Sequence, residues 1–438
     1  MNHAPENHYD ALVVGGGIAG LQAALDLAEQ GFRVAVVEED ASVGGKMIRL
    51  SKVFPTLDCA SCITTPKMAA AAHHPRISLL TYSRLAGLER AGGGFAARIE
   101  RKARFVDEDQ CIGCRQCEYA CPVLLPDADQ GGFAARKAIY IPFGNAIPQV
   151  ALREEENCTF CGKCEKVCPT GAVDLLQQPQ EISLTAEAVV LATGFRLMTD
   201  YPNRAYGPAA RQPNLITSLQ MERLLAPHGP YMRVLRPSDG KEPDSVAFIQ
   251  CAGSRDLNLG VPYCSRVCCM YAIKQAMLLS GALPLADLTV YYLDIRAFGK
   301  NYEQFFQNAK AMGVEFVKAK PVVVGSTAEG AVRLRYEDQE GGGGGQEREH
   351  DLVVMSLAVL PAAELDPTGL GVGLGADGFL GSVSPKLAPP LTDQEGVFAA
   401  GTALGPKDIV DTIVEAGAAA SQAAAYLAAR RAAGRAAA

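Results

Sequence analysis

Fourteen cysteines dominate what this chain could do chemically, and they fall into four groups. Cys59 and Cys62 form one Cys-x2-Cys pair. Cys111, Cys114, Cys117 and Cys121 form a run with spacings x2, x2 and x3, and Cys158, Cys161, Cys164 and Cys168 repeat it; Pro122 and Pro169 follow the last cysteine of each run. Three cysteines on a tight loop can hold three irons of a [4Fe–4S] cubane, and the fourth, ahead of the proline, reaches a neighbouring cubane. This predicts one cluster on Cys111, Cys114, Cys117 and Cys168, and a second on Cys158, Cys161, Cys164 and Cys121. Zinc also binds Cys-x2-Cys pairs, but two complete runs each ending in proline favour iron. Cys251, Cys264, Cys268 and Cys269 predict a third [4Fe–4S] cluster with irregular spacing, against the competing reading of buried thiols. Three readings stay open for Cys59 and Cys62: a redox dithiol near a flavin, two ligands of a cluster completed by a partner chain, or a structural pair.

A second chemistry is carried by glycines. Ala11–Val14 reads as a buried strand, Gly15-Gly16-Gly17-Ile18-Ala19-Gly20 follows at once, and a helix then runs to Glu29. Gly15 permits the sharp turn, Gly17 lets backbone approach a pyrophosphate, and Gly20 lets helix and strand pack closely. The helix start, with Ile18 and Ala19, offers N–H groups to phosphates. The next strand, Val34–Val37, ends in Glu38-Glu39, where a carboxylate can accept from ribose hydroxyls. Gly45-Lys46, Thr193-Gly194 after the strand Ala188–Leu191, and Gly401-Thr402 after Gly396–Ala400 favour FAD over NAD. The last of these resembles the second FAD fingerprint of thioredoxin-reductase-like flavoproteins, with Thr402 where that fingerprint has Asp. The ribityl contact is then expected from backbone or from Lys407-Asp408.

These residues need a scaffold that brings distant glycine turns to one end of a parallel sheet. The sequence predicts an α/β, thioredoxin-reductase-like flavoprotein with two dinucleotide-binding domains and an inserted bacterial-type 2[4Fe–4S] ferredoxin domain. The expected parts are the FAD-binding domain in three pieces (1–104, 179–239 and 391–438), the ferredoxin insertion (105–178), and a degenerate NAD(P)H-like domain (240–390). In that domain Val246–Gln250 is the first strand. Cys251-Ala252-Gly253-Ser254-Arg255 stands where a phosphate-binding glycine loop belongs, which argues against an NAD(P)H-dependent disulfide reductase working through Cys59 and Cys62. An alanine-rich helix is expected from Ile409 onward, packed on the flavin domain.

Composition bounds the rest. With 438 residues, 48% hydrophobic and 20% charged, the chain can build several cores. A net charge of −7 excludes an extended nucleic-acid surface. No apolar run approaches the ~18 residues that span a bilayer, and the polar Met1–Asp10 is not a signal peptide. Fourteen cysteines in such a chain fit a reducing cytoplasm and metal chemistry. A membrane is expected only through a partner subunit.

The order of motifs resembles the A subunit of heterodisulfide reductase and its relatives. The resemblance is carried by Gly15–Gly20, Asp58–Met68, both ferredoxin runs, Ala135–Tyr140, Cys251–Arg255 with Tyr263–Cys269, and Gly405–Ile409. It implies that Cys251, Cys264, Cys268 and Cys269 hold an unusual [4Fe–4S] cluster. It also implies an FAD and iron–sulfur oxidoreductase subunit working with other redox subunits. In the family's longer members the flavin splits electron pairs. This chain looks like the short type, similar to the A subunit of the quinone-interacting membrane-bound oxidoreductase of sulfate reducers. That implies partners resembling heterodisulfide reductase B and C subunits or their quinone-interacting counterparts, a link to adenylylsulfate reductase, and a role in sulfate respiration, with bifurcation as the alternative.

Overall fold

The computed structural model describes residues 7–327, 329–341, 344–362, 366 and 369–437. The chain forms two compact units: Met1–Ile48, Cys62–Phe195 and Pro361–Ala438 make the first, and Arg49–Ser61 with Arg196–Leu360 make the second.

The first unit is built on a sheet of seven strands. Strands β1 (His8–Val14), β2 (Val34–Val37), β3 (Ile77–Leu80), β4 (Ser83–Ala91), β5 (Gly94–Arg101) and, after the cysteine runs, Gln180–Leu191 carry its main path. Gln180–Leu191 runs parallel to β1 and antiparallel to β5, and Val397–Ala399 pairs beside it. The apolar runs Ala11–Val14 and Val34–Val37 are buried on both faces, as a covered parallel sheet requires. Helix α1 (Ile18–Glu29) packs Leu21, Ala24 and Leu27 inward at helical spacing and stops at Gly31, whose φ is +92°. The C-terminal helix Ile409–Ala437 lies against α1 and buries Ala416, Ala419, Ala420, Ala423 and Leu427. Small side chains there let two backbones approach closely.

The insertion has a simple topological cause. Arg101, at the end of β5, is the register partner of Gln180, at the start of the returning strand. Two antiparallel neighbours therefore meet at their strand ends, and everything between them can loop out without disturbing the ladder. That excursion has its own small core around Val106, Ile139, Ile141, Ala151 and Val173. It contains helices α2 (Gln116–Ala120) and α3 (Lys163–Val167), which pack on each other, and the short strand pair Ile139–Tyr140 with Leu152–Arg153.

The second unit holds a five-stranded parallel sheet in the order Leu215–Thr217, Leu352–Leu357, Ser245–Ala252, Asp287–Tyr292, Glu315–Lys318, beside a three-stranded antiparallel sheet. The boundaries differ from the sequence expectation: they fall at Phe195 and Leu360 rather than at 239 and 390. The reason is strand pairing. Leu215–Thr217, expected with the flavin domain, takes Val353–Met355 as its neighbour in the second sheet. Among the described residues no helix is long and apolar enough to cross a membrane.

Candidate flavin site and cysteine centres

The glycine loop between β1 and α1 shows three distinct needs. Gly15 has φ +105°, and a Cβ there would sit 2.3 Å from the Ala192 carbonyl oxygen. At Gly20 a Cβ would fall 1.8 Å from the Gly15 carbonyl oxygen, so helix and loop touch backbone to backbone. At Gly17 a Cβ would meet only the Gly45 Cα, at 4.0 Å. Gly45 faces it with φ +55°. Gly17 and Gly45 thus line a cradle that side chains would fill, at the start of a helix with no acidic residue in its first turn. The first-turn N–H groups of a helix have no intrahelical acceptor and attract anions.

The other predicted residues gather around this loop. Gly401, with φ +70°, abuts the start of α1: a Cβ there would lie 2.7 Å from the Ala19 Cβ. Thr402 Oγ1 is 3.9 Å from where a Cβ on Gly194 would be, which puts the Thr193-Gly194 and Gly401-Thr402 turns side by side. The Lys46 ammonium stands 4.7 Å from the Phe195 ring centroid. Glu38 is buried, and its carboxylate accepts from the Gly16 N–H at 2.5 Å and the Asp40 N–H at 2.8 Å. Burial nevertheless pushes its pKa up to about 7, with Asp40 and Glu39 adding to the rise. Glu39 points outward and pairs with Lys102 at 3.4 Å. Lys407 and the Gly401 N–H both engage the Glu415 carboxylate, and Asp408 accepts from the Asp411 N–H at 2.8 Å. These bonds tie Lys407 and Asp408 to the C-terminal helix. The open cradle, the glycine approaches and the helix start fit a dinucleotide such as FAD.

The two cysteine runs each close on the other. One cavity is lined by Cys111, Cys114, Cys117 and Cys168. A second is lined by Cys121, Cys158, Cys161 and Cys164. Each thus receives three thiols from one loop and the last thiol of the other, the crossing that the spacing predicts. The central thiols, Cys117 and Cys164, are buried at the starts of α2 and α3. Burial pushes Cys117 up to about 12 and also raises Cys164. The exposed Cys161 is lowered, chiefly by the Lys163 N–H. A buried thiol kept neutral in this way becomes a thiolate when a cation binds it, so the donor set fits iron.

The third group lies in the second unit. Cys251 is the penultimate residue of the strand Ser245–Ala252, with φ +54°, and Cys268 and Cys269 open the helix Cys268–Ala282. Cys251, Cys268 and Cys269 are buried. The Arg266 N–H points at Cys264 Sγ at 3.3 Å, and Cys269 Sγ at the Asp294 carbonyl oxygen at 3.7 Å. A hydrogen bond from Cys268 holds Cys264 down to about 6, while burial and then the Cys269 charge push Cys251 up to about 11. Four thiols near enough to perturb one another form a ligand set suited to a soft metal centre.

Cys59 and Cys62 stand at the start of the helix Ala60–His73, Cys59 half-buried and Cys62 exposed. Cys59 pairs in an isolated bridge with Lys52. Two features escape sequence reasoning. One is Arg153, fully buried beside the second cavity; its signal was Phe160, a bulky residue where the first run has Gly113. The other is a buried Lys274–Glu222 pair, which no local spacing announces.

Family profiles match an FAD binding domain over residues 10–51 and a 4Fe-4S dicluster domain over 110–173. Over 416 residues, 94% of its length, the chain is 42% identical to the A subunit of the H(2):CoB-CoM heterodisulfide,ferredoxin reductase of Methanothermobacter marburgensis. It is 45% identical over 416 residues to the A subunit of the H(2)/formate:CoB-CoM heterodisulfide,ferredoxin reductase of Methanococcus maripaludis. It spans 63% of the length of each of these relatives. Among solved structures, thioredoxin reductase of T. acidophilum superposes with a TM-score of 0.53 at 15% identity, covering 96% of this chain and 99% of that one. Lactococcus lactis thioredoxin reductase gives 0.52 at 13% identity, covering 96% and 99%. The fold is therefore thioredoxin-reductase-like, with an FAD-binding domain and a 4Fe-4S dicluster domain, and the chain is a homologue of heterodisulfide reductase A subunits.

Proposed function

We propose that this homologue of heterodisulfide reductase A subunits is an FAD- and [4Fe–4S]-containing electron-transfer subunit of a larger oxidoreductase complex. The observation that carries the reading is the pair of four-cysteine cavities, each closed by the last cysteine of the other run. Crossed ligation holds two clusters on one small core, and close spacing suits conduction. When bound, a flavin would exchange electrons in pairs and the clusters would exchange them singly. Gly15, Gly17, Ile18, Ala19, Gly20, Gly45, Gly194, Gly401 and Thr402 would hold the flavin by backbone approach and helix-start N–H groups. Cys251, Cys264, Cys268 and Cys269 would hold a third cluster.

The partners we propose are other redox subunits, resembling either the heterodisulfide reductase B and C subunits or the quinone-interacting type that draws on adenylylsulfate reductase. Anaerobic copurification separates these two. The test of the core reading is iron and FAD content after anaerobic purification, with EPR after dithionite. Three clusters of four irons give about 12 iron, alongside one FAD. About eight iron would return the Cys251 group to thiols. Zinc in place of iron overturns the reading.

A further inference from the structure

The two cysteine cavities are alike in ligands and unlike in charge. Arg153, in the short strand Leu152–Arg153, lines the cavity of Cys121, Cys158, Cys161 and Cys164. It is 1% exposed, and Nε, Nη1 and Nη2 are all buried with no hydrogen-bond partner among the described residues. Arginine stays protonated in proteins, and a buried cation without a counter-charge is costly. The neighbouring carboxylate, Glu154, is engaged by Arg136 and Asn157. The guanidinium is instead clamped between two rings, with its Cζ 3.7 Å from the Phe105 centroid and 4.5 Å from that of Phe160.

The clamp is itself strained. Phe105 has φ +59° and Phe160 φ +51°, a conformation that bulky residues avoid. The first run uses Gly113, φ +68°, at the position matching Phe160. The cation in the other cavity, Arg115, is partly exposed and paired with Glu118 at 2.9 Å. An unpaired cation held by two strained aromatics over four thiols needs an anion in that cavity.

Building on the two-cluster reading above, we propose that Arg153 is a positioning residue that sets the two clusters apart in potential. It lines the cavity that would hold the cluster of Cys121, Cys158, Cys161 and Cys164, and its N–H groups are left without a protein acceptor among the described residues. A reduced cluster carries one more negative charge than the oxidised one, so a fixed buried cation favours reduction. That cluster is therefore the higher-potential member and the resting place of an electron shared by the pair.

The test is an EPR-monitored redox titration of the full chain, reconstituted with iron and sulfide. In the unmodified chain the two clusters should reduce in separate steps. Arg153→Met should lower the higher step at least tenfold in reduction equilibrium, which is 59 mV for one electron, and leave the lower step in place. Coincident steps in the unmodified chain, or an unmoved higher step in Arg153→Met, overturn the proposal while the cluster reading survives. If Arg153→Met does not fold, Arg153→Lys decides: keeping the charge, it should keep two separate steps, and their merging overturns the role of charge. A chain that takes up no iron overturns the cluster reading itself.

Discussion

Replacing Lys274 by methionine tests how the second unit holds the segment that carries Cys59. Lys274 is 2% exposed and Glu222 3% exposed, and they form an ion pair. The Lys274 ammonium also donates to the Lys52 carbonyl at 2.9 Å, and Glu222 accepts from the Ser51 N–H at 2.9 Å and the Ser51 hydroxyl at 2.7 Å. The network therefore fastens Ser51 and Lys52 to two helices, Ser218–Leu225 and Cys268–Ala282. The two shifts point in opposite senses for the value of the pair. Burial would raise Glu222, but Lys274 and the hydrogen bonds from Lys274, Ser51 and Gln275 hold it below its ordinary value. Burial lowers Lys274 despite Glu222. The pair as a whole is then worth little over an apolar pair, whereas losing one partner strands a buried charge and costs about 3–5 kcal/mol. In Lys274→Met, hydrogen exchange of amides in Cys268–Ala282 that open with the whole unit should quicken by about two to three and a half orders of magnitude, at about 1.4 kcal/mol per decade. The pH dependence gives a signed check. In the native chain the depressed Glu222 pKa contributes stability above the ordinary carboxylate range and loses it as pH falls through the folded value. In the variant the stranded carboxylate is raised instead, so its deficit shrinks as acid neutralises it. Exchange quickened by less than tenfold, or a deficit that grows in acid, refutes the reasoning.

Glu38 has its folded pKa raised to about 7 from 4.5, so the folded state holds an extra proton between those values. Stability without flavin should fall as pH rises from about 4.5 to 7, a slope that urea titration of Glu38→Gln should abolish. Gly17→Ala and Gly20→Ala should separate binding from folding: the first meets only the Gly45 Cα, at 4.0 Å, and should leave the melting temperature within a few degrees while FAD affinity drops at least tenfold. The second meets backbone oxygen at 1.8 Å and should lose about 1–3 kcal/mol or more, read by urea melts. A Gly17→Ala protein that binds FAD normally would remove the cradle from the site. Cys121→Ala should abolish the EPR signal that Cys158→Ala abolishes and spare the one that depends on Cys111; the reverse pattern would show uncrossed runs.

What the sequence made legible was local. The ferredoxin runs and the loop after β1 fix their geometry within a few residues, and the structure places those cysteines and glycines together. Non-local pairing was not legible. Leu215–Thr217 joined the second sheet because Leu352–Leu357 lies beside it, and Ser51–Lys52 joined the second unit through side chains far along the chain. Glu38 was legible as a carboxylate at the strand end, but not its burial or its bonds to the N–H groups of Gly16 and Asp40. Burial of a titratable group and the company it keeps are set by tertiary packing. Arg153 is the same kind of miss, since an arginine in a two-residue strand carries no pattern, although a phenylalanine in a glycine position did.

The strand Ser245–Ala252 supplies one more prediction, because it ends where a nicotinamide-binding unit would turn through glycines into a helix. Here the chain runs from Gly253 to Val267 before the helix Cys268–Ala282 begins. The space at the strand end is filled: a Cβ on Gly253 would lie 2.8 Å from Met198 Sδ, 3.1 Å from Tyr201 Cδ2 and 3.4 Å from Ala358 Cβ. The connection is tied down by Ser254 and Ser265, whose hydroxyls are 2.7 Å apart, and by the Val359 N–H donating to Ser265 at 2.8 Å. The helix start that would receive a pyrophosphate is occupied by the buried Cys268 and Cys269, which as ligands of a bound cluster would carry negative charge and repel it. NADPH and NADH should therefore fail to bleach the flavin of the loaded chain, whereas dithionite should bleach it fully. Stopped-flow bleaching by NADPH within seconds would mean that the pyrophosphate finds a seat despite this packing, and would restore the disulfide-reductase reading of Cys59 and Cys62.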